Sequence, residues 1–188
     1  VLSLALIPFL LLFAPRFLIQ NALTKYHLHV GESLLEQHSL QKAKEAFEEA
    51  LRWNPHEWRA YFFLGDISAR HKNGEEAISY LKKSLRFNPY HVMTLFNLAL
   101  YYERSGKDED AVQTYGRLLS FAPDFRMANN RLGHIHLKHR RFDDAKRYFW
   151  KALQPVAYQE GELPTALFGL FLCESKLHQP EKALALLR

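Results

Sequence analysis

The sequence predicts an all-α fold made of helical hairpins stacked one after another. Three observations carry that expectation. Apolar and small residues recur at a fixed interval of 34 residues, they follow the helical period within each interval, and proline and turn residues punctuate the intervals at matching places. The chain of 188 residues is 48% hydrophobic and 14% aromatic, so a packed structure is expected and disorder is not.

The first element is the stretch "VLSLALIPFLLLFAPRFLIQ", residues 1 to 20. Its first fifteen residues carry no charge, and all but Ser3, Pro8 and Pro15 are apolar. As a helix they would rise roughly 22 Å, short of the ~30 Å hydrocarbon layer. Continuing through Phe17, Leu18 and Ile19, with Arg16 reaching toward the headgroups, nearly closes that gap. A secretory signal would want a basic start and a small-residue cleavage site, and neither is evident. Packing beneath the first repeat is the other reading. The expectation is a membrane-associated helix over 1–20, a single span or the end of one. Arg16 and Lys25 lean toward a cytoplasmic array, but two charges leave the side of the membrane open.

The hairpins follow. "AFEEALRWNP", "YLKKSLRFNP" and "TYGRLLSFAP" stand in one register, as do Ala43, Ala77, Ala111 and Ala145. Gly31, Gly65, Ala99 and Gly133 keep the same phase, with the bulky series Phe47, Leu81, Tyr115 and Phe149. Between Trp58 and Arg70 the residues Tyr61, Leu64, Gly65 and Ser68 mark one helical face. "HKNGEE" supplies a turn with glycine, a second helix restarts, and Asn88-Pro89 ends it. Glycine inside a helix costs about 1 kcal/mol against alanine, so its recurrence predicts close approach of another backbone. A hairpin of this size cannot bury its apolar face alone and has to stack on its neighbours.

This pattern resembles the tetratricopeptide repeat (TPR). The resemblance covers 24–57, 58–91, 92–125 and 126–159, with a partial unit at 164–188. It implies a right-handed superhelical solenoid whose first helices line a concave groove for a protein partner, with no catalysis by this chain. Two departures stand out. Pro155 falls two residues early, and Ala183 follows Ala145 by four residues too many, so "QPVAYQEGELP" is read as a loop with an insertion. The chain also stops inside a second helix, and it is read as a piece of a longer protein. An apolar helix running into such repeats is also similar to the tails of O-antigen ligase-type enzymes and of transmembrane O-mannosyltransferases. That is the alternative: a TPR region of a polytopic glycosyltransferase whose catalytic part lies elsewhere. The first reading is a membrane-tethered scaffold for complex assembly.

A second stripe runs along each first helix: Phe62, Asp66, Arg70; Phe96, Leu100, Arg104; Asn130, His134, Lys138; and Phe168, Leu172, Lys176. Under the resemblance these line the groove, with phenylalanine anchors beside a basic rail, and they suit a partner segment that is apolar and acidic. The formal charge of +5 suits an acidic partner, a membrane surface or nucleic acid about equally well. The lysines with which some TPR proteins clamp a C-terminal carboxylate are replaced by Leu28, Phe62 and Phe96. Only Asn97 matches that clamp.

Other chemistry is not expected. "HIHLKH" at 134–139 puts His136 and His139 on one helical face, but His136 falls in a core slot shared with Leu34 and Tyr102, so no metal is predicted. The basic run "LKHRRFDDAKRYFWK" is interrupted by Asp143 and Asp144, and Phe149 in it follows the packing register. A solvated helix face is expected there, not a nucleic-acid interface. No phosphate-cradling glycine loop and no nucleophile–base spacing is present, so no cofactor and no small-molecule substrate are predicted. The one cysteine, Cys173, sits in an apolar run and reads as a buried packing thiol.

Overall fold

Every regular element in the described residues of the computed structural model, 16–154 and 163–177, is an α-helix. In order these are α1 (Arg16–Glu36), α2 (Leu40–Trp53), α3 (Trp58–Arg70), α4 (Gly74–Phe87), α5 (Val92–Arg104), α6 (Asp108–Leu119), α7 (Arg126–Lys138), α8 (Phe142–Leu153) and α9 (Leu163–Lys176). Most of the opening apolar segment, the expected inserted loop and Ala183 lie outside the described residues. Among the described residues no helix is long and apolar enough to cross a membrane. The chain divides into two units, 1–94 and 95–188, with the division falling in the first turn of α5.

In the first unit α1 pairs with α2 and α3 with α4, and α2 packs on α3. The core is built from the register residues. Phe47, Ala43, Ala50, Ala60, Leu64 and Ile67 are closed to solvent and cluster with Leu28. Phe47 stacks on Phe63 of the next hairpin, ring centroids 4.8 Å apart. Burying a ring of that size contributes roughly 2–3 kcal/mol, so this contact is a main cement between the two hairpins. Residues 16–36 form one helix, which runs across the bounds drawn at 1–20 and 24–57. Nothing between Arg16 and Val30 is a breaker, and Thr24 donates its hydroxyl back to the Gln20 carbonyl at 2.7 Å within the same helix.

In the second unit α7 pairs with α8, α9 packs on both, and α6 packs on α7. Phe149, Ala145 and Ala152 of α8 are closed to solvent, as are Ala166, Leu170 and Cys173 of α9. Tyr115 of α6 is also fully buried. Its hydroxyl donates to the Glu103 carboxylate at 3.2 Å, so the polar tip of a buried ring keeps a partner.

The glycines do have a packing reason, in part the expected one. A Cβ on Gly31 would fall 2.6 Å from the Phe47 ring, and one on Gly133 would fall 2.6 Å from the Phe149 ring. At these two positions the approaching group is a side chain, whereas at Gly65 the backbone oxygen of Ala77 also comes within 3.4 Å of such a Cβ, as expected. At Gly65 the partner is the smaller Leu81, 3.0 Å from such a Cβ.

The turn expected over "HKNGEE" is present, at residues 71–73. Gly74 is the first residue of α4, where Asn73 caps the helix by accepting the Glu76 amide. The left-handed residue is Lys72, and it belongs to a series at the repeat interval: His38, Lys72, Gly106 and Arg140, all with φ between 57° and 72°. In each case the following amide reaches the carbonyl five residues back at 2.9 Å, for example Asn73 to Ser68 and Arg141 to His136. This satisfies helix-end carbonyls with a tight stop, even though three of the four residues carry a side chain.

Candidate recognition face

The stripe residues fall into three environments. Some are inside. Phe96 is 8% exposed, packed 5.9 Å from the Tyr115 ring and 5.5 Å from that of Phe125, so it serves the core of its unit and cannot anchor a partner. Asn130 is also buried, and its side-chain amide donates to the Thr165 hydroxyl at 2.8 Å, fastening α7 to α9. His134 is half-buried with its ring edge-on to Phe149.

A second group is open but already engaged. Asp66 and Arg70 pair with each other one turn apart at 2.9 Å. Arg104 lies over the Tyr101 ring, 5.7 Å from its centroid. Phe62 is half-buried between Phe63 and His91, 5.3 Å from each. Leu100 is half-buried. Lys138 donates to Asp108 at 2.7 Å, and His139 reaches the same oxygen at 2.6 Å. Asp108 is only 5% exposed, and the Lys138 ammonium, helped by His139, holds its carboxyl below the usual carboxylate range. The sequence contains no local hint of this tie, because the acid stands 30 residues from its lysine.

The third group lines an opening. Leu172, Lys176 and Lys138 from the stripe meet Leu137, Arg140 and Phe142 around a cavity of about 510 Å³ in the second unit. Three apolar side chains form its floor and three cations its rim. Phe168, 57% exposed, stands one turn before Leu172 on α9. Arg140 and Phe142 were missed by the sequence reading because they sit in the turn and on the second helix, off the first-helix stripe. The 34-residue series of left-handed turns would have flagged Arg140.

The histidines of "HIHLKH" do not converge. His136 stacks on Tyr148 at 5.2 Å while His139 goes to Asp108, and the described residues hold no cluster of three metal-ligating side chains. The basic run is largely spent internally: Lys146 pairs with Glu174 at 2.5 Å, Arg147 pairs with Asp144 at 2.9 Å, and Lys151 sits near the Tyr148 ring. Cys173 is fully buried, and burial pushes its thiol up to about 11.

Two tetratricopeptide-repeat family models match the chain, one at residues 31–92 and one at 94–126. The chain belongs to the tetratricopeptide repeat family. No curated protein matches this TPR sequence. Among solved structures it is similar to MamA from Desulfovibrio magneticus RS-1, with a TM-score of 0.75 and 15% identity over 88% of this chain and 91% of that one. It is also similar to pilF of Pseudomonas aeruginosa, with a TM-score of 0.72 and 18% identity over 89% and 76% of the two chains. YrrB, described as a TPR protein with an unusual peptide-binding site, aligns with a TM-score of 0.72 and 17% identity over 86% and 81%. At these identities the TPR fold is what is shared.

Proposed function

We propose that this TPR chain is a non-enzymatic scaffold that binds a protein segment, apolar and acidic in character, along the open parts of its first-helix stripe, and that residues 1–20 hold it at a membrane. The observation that carries the binding half is the meeting of Lys138, Leu172 and Lys176 around one cavity, with Phe168 exposed beside them. Exposed aromatics next to cations over an apolar floor are the composition of a binding surface. Phe62, Asp66 and Arg70 of the first unit, and Leu100 and Arg104 of the second, are further open positions of the stripe, each within its own unit and with charges partly met in place. In support of the tether, α1 starts at Arg16 and leaves Phe17, Leu18 and Ile19 largely exposed, directly after the uncharged residues 1–15. A glycosyltransferase tail is favoured by no observation of the described residues and is not carried forward.

The test is photocrosslinking in native membranes with benzoylphenylalanine placed at position 168, and separately at the solvent-facing position 116. Position 168 is expected to give a discrete protein adduct that position 116 does not. Equal or absent adducts refute the recognition face. Loss of residues 1–20 is expected to move the chain from the membrane pellet to the supernatant, and retention in the pellet refutes the tether alone.

A further inference from the structure

Resting on the protein-recognition reading above, we propose that the cavity of the second unit is a specific site for a short acidic segment. One large apolar side chain of that segment inserts against Leu137, Phe142 and Leu172, and its flanking carboxylates meet Arg140 and Lys176. Charge complementarity selects the occupant. Of the three cations on the rim, Lys138 is already held by the buried carboxylate of Asp108. Arg140 and Lys176 have no carboxylate within ion-pair distance among the described residues, and both are exposed. The rim therefore presents two uncompensated positive charges over an apolar floor. A neutral apolar segment would leave them unused, and a basic one would be repelled.

Arg140 is also held in place by the backbone. It occupies the left-handed position of the turn between α7 and α8, at φ 58°, with its own amide bonded to the Leu137 carbonyl at 3.0 Å and the next amide to that of His136 at 2.9 Å. Its counterparts in the repeat series are His38, Lys72 and Gly106. Glycine relieves the cost of this conformation, and at position 140 the chain carries a side chain instead. The volume of about 510 Å³ is enough for one bulky side chain and part of its backbone.

These features allow a test in which folding and binding separate. Random dodecapeptides displayed on phage are selected against the immobilised full chain, and the enriched peptides are then titrated at low and at physiological salt. The expected peptides carry Leu, Ile or Phe flanked by two or more acidic residues. R140G/K176A is expected to melt at or above the parent temperature, since glycine suits the turn, yet to bind these peptides about tenfold more weakly with a shallower salt dependence. K42A, which removes an exposed cation of α2 in the first unit, is expected to stay within about twofold of the parent, because that charge takes no part in the cavity. Enrichment of neutral or basic peptides, undiminished binding by R140G/K176A, or no enrichment at all overturns the site. Peptides that bind equally well to R140G/K176A while crosslinking to position 168 would sink this site and leave the broader recognition reading standing. Failure of both assays would remove that reading too.

Discussion

The ring of Phe149 lies over the bare Cα of Gly133, so close that a Cβ there would fall 2.6 Å away. The same relationship joins Phe47 to Gly31, sixteen residues apart in both hairpins, and Leu81 takes the place of the ring at Gly65. Large and small residues are thus matched across the two helices of a hairpin, and the matching is what the 34-residue register encodes. Gly31→Ala is expected to destabilise the chain by about 1–3 kcal/mol, because overpacking outweighs the helix propensity gained. Combined with Phe47→Leu, the cost should be clearly less than the sum of the two single changes. Gly116→Ala should act in the opposite direction. Nothing lies within 4 Å of a Cβ at that exposed position of α6, so a gain of about 0.5–1 kcal/mol is expected. Urea unfolding of the four variants checks the set, and strict additivity of Gly31→Ala with Phe47→Leu would show that the two residues do not contact.

The turn series gives a second expectation. Lys72 holds φ at 62°, where a side chain is disfavoured, and its hairpin does not use that side chain in any helix cap. Lys72→Gly is expected to stabilise by about 0.5–1 kcal/mol, the left-handed penalty being offset in part by the extra freedom of glycine in the unfolded chain. Gly106→Ala at φ 72° should cost about 1 kcal/mol. Thermal melts suffice, and opposite signs at the two positions are the point of the comparison.

Much of this was legible in the sequence. Ala43, Ala77, Ala111 and Ala145 are all fully buried, as the register required. The recognition stripe was less legible for a geometric reason. Residues at i, i+4 and i+8 drift around a helix by about 40° per step, so the first and last members face about 80° apart. That drift let Phe96 and Asn130 turn into the core while Arg104 and Lys138 stayed outside. Long-range pairing was invisible for a different reason. Asp108 meets Lys138 only because α6 packs on α7, and no spacing within either helix signals it. The turn of "HKNGEE" was legible, but not which residue takes the left-handed position: Lys72 does, while Asn73 caps the helix that Gly74 begins.

Acid is expected to weaken the fold before any carboxylate titrates. Burial lowers the pKa of both His91 and His136, against a smaller opposing pull from Asp144 on His136. His91 also caps α5, where its Nδ1 accepts the Thr94 amide, a role open only to a ring unprotonated at that nitrogen. The unfolded chain takes up protons near pH 6.5 while the folded chain resists to lower pH, so it is the unfolded state that binds more protons in this window. Stability is then full above about pH 6.5 and falls as the pH drops below it. Melting temperatures measured from pH 7.5 to 5 should decline only in the lower half. His136→Tyr, which places at 136 the residue found one repeat earlier at Tyr102, should flatten part of that decline. Asp108, held below its ordinary range by Lys138 and His139, enters only below about pH 4. A melting temperature that rises on acidification from 6.5 to 5 would contradict the burial of both rings.

The last expectation concerns the packing of α9. Cys173 is fully buried and its thiol is pushed up to about 11, so at pH 8 only about a thousandth is thiolate. Alkylation by iodoacetamide should be very slow in the native chain and fast in urea, with the rate reporting the opening of α9. The adjacent Glu174 is 4% exposed, and its carboxylate pairs with Lys146 at 2.5 Å. Lys146→Ala leaves that carboxylate buried without its cation, an arrangement that costs about 3 kcal/mol in comparable sites. Alkylation of Cys173 should therefore accelerate by about a hundredfold in this variant if α9 opens as a unit. Replacing Glu174 as well, in Lys146→Ala/Glu174→Gln, should recover most of the protection, because the stranded charge is gone. Fast alkylation of the parent chain would mean that α9 does not hold its place against Phe149 and Ala152. A slow rate in all three chains would mean that the carboxylate finds another cation.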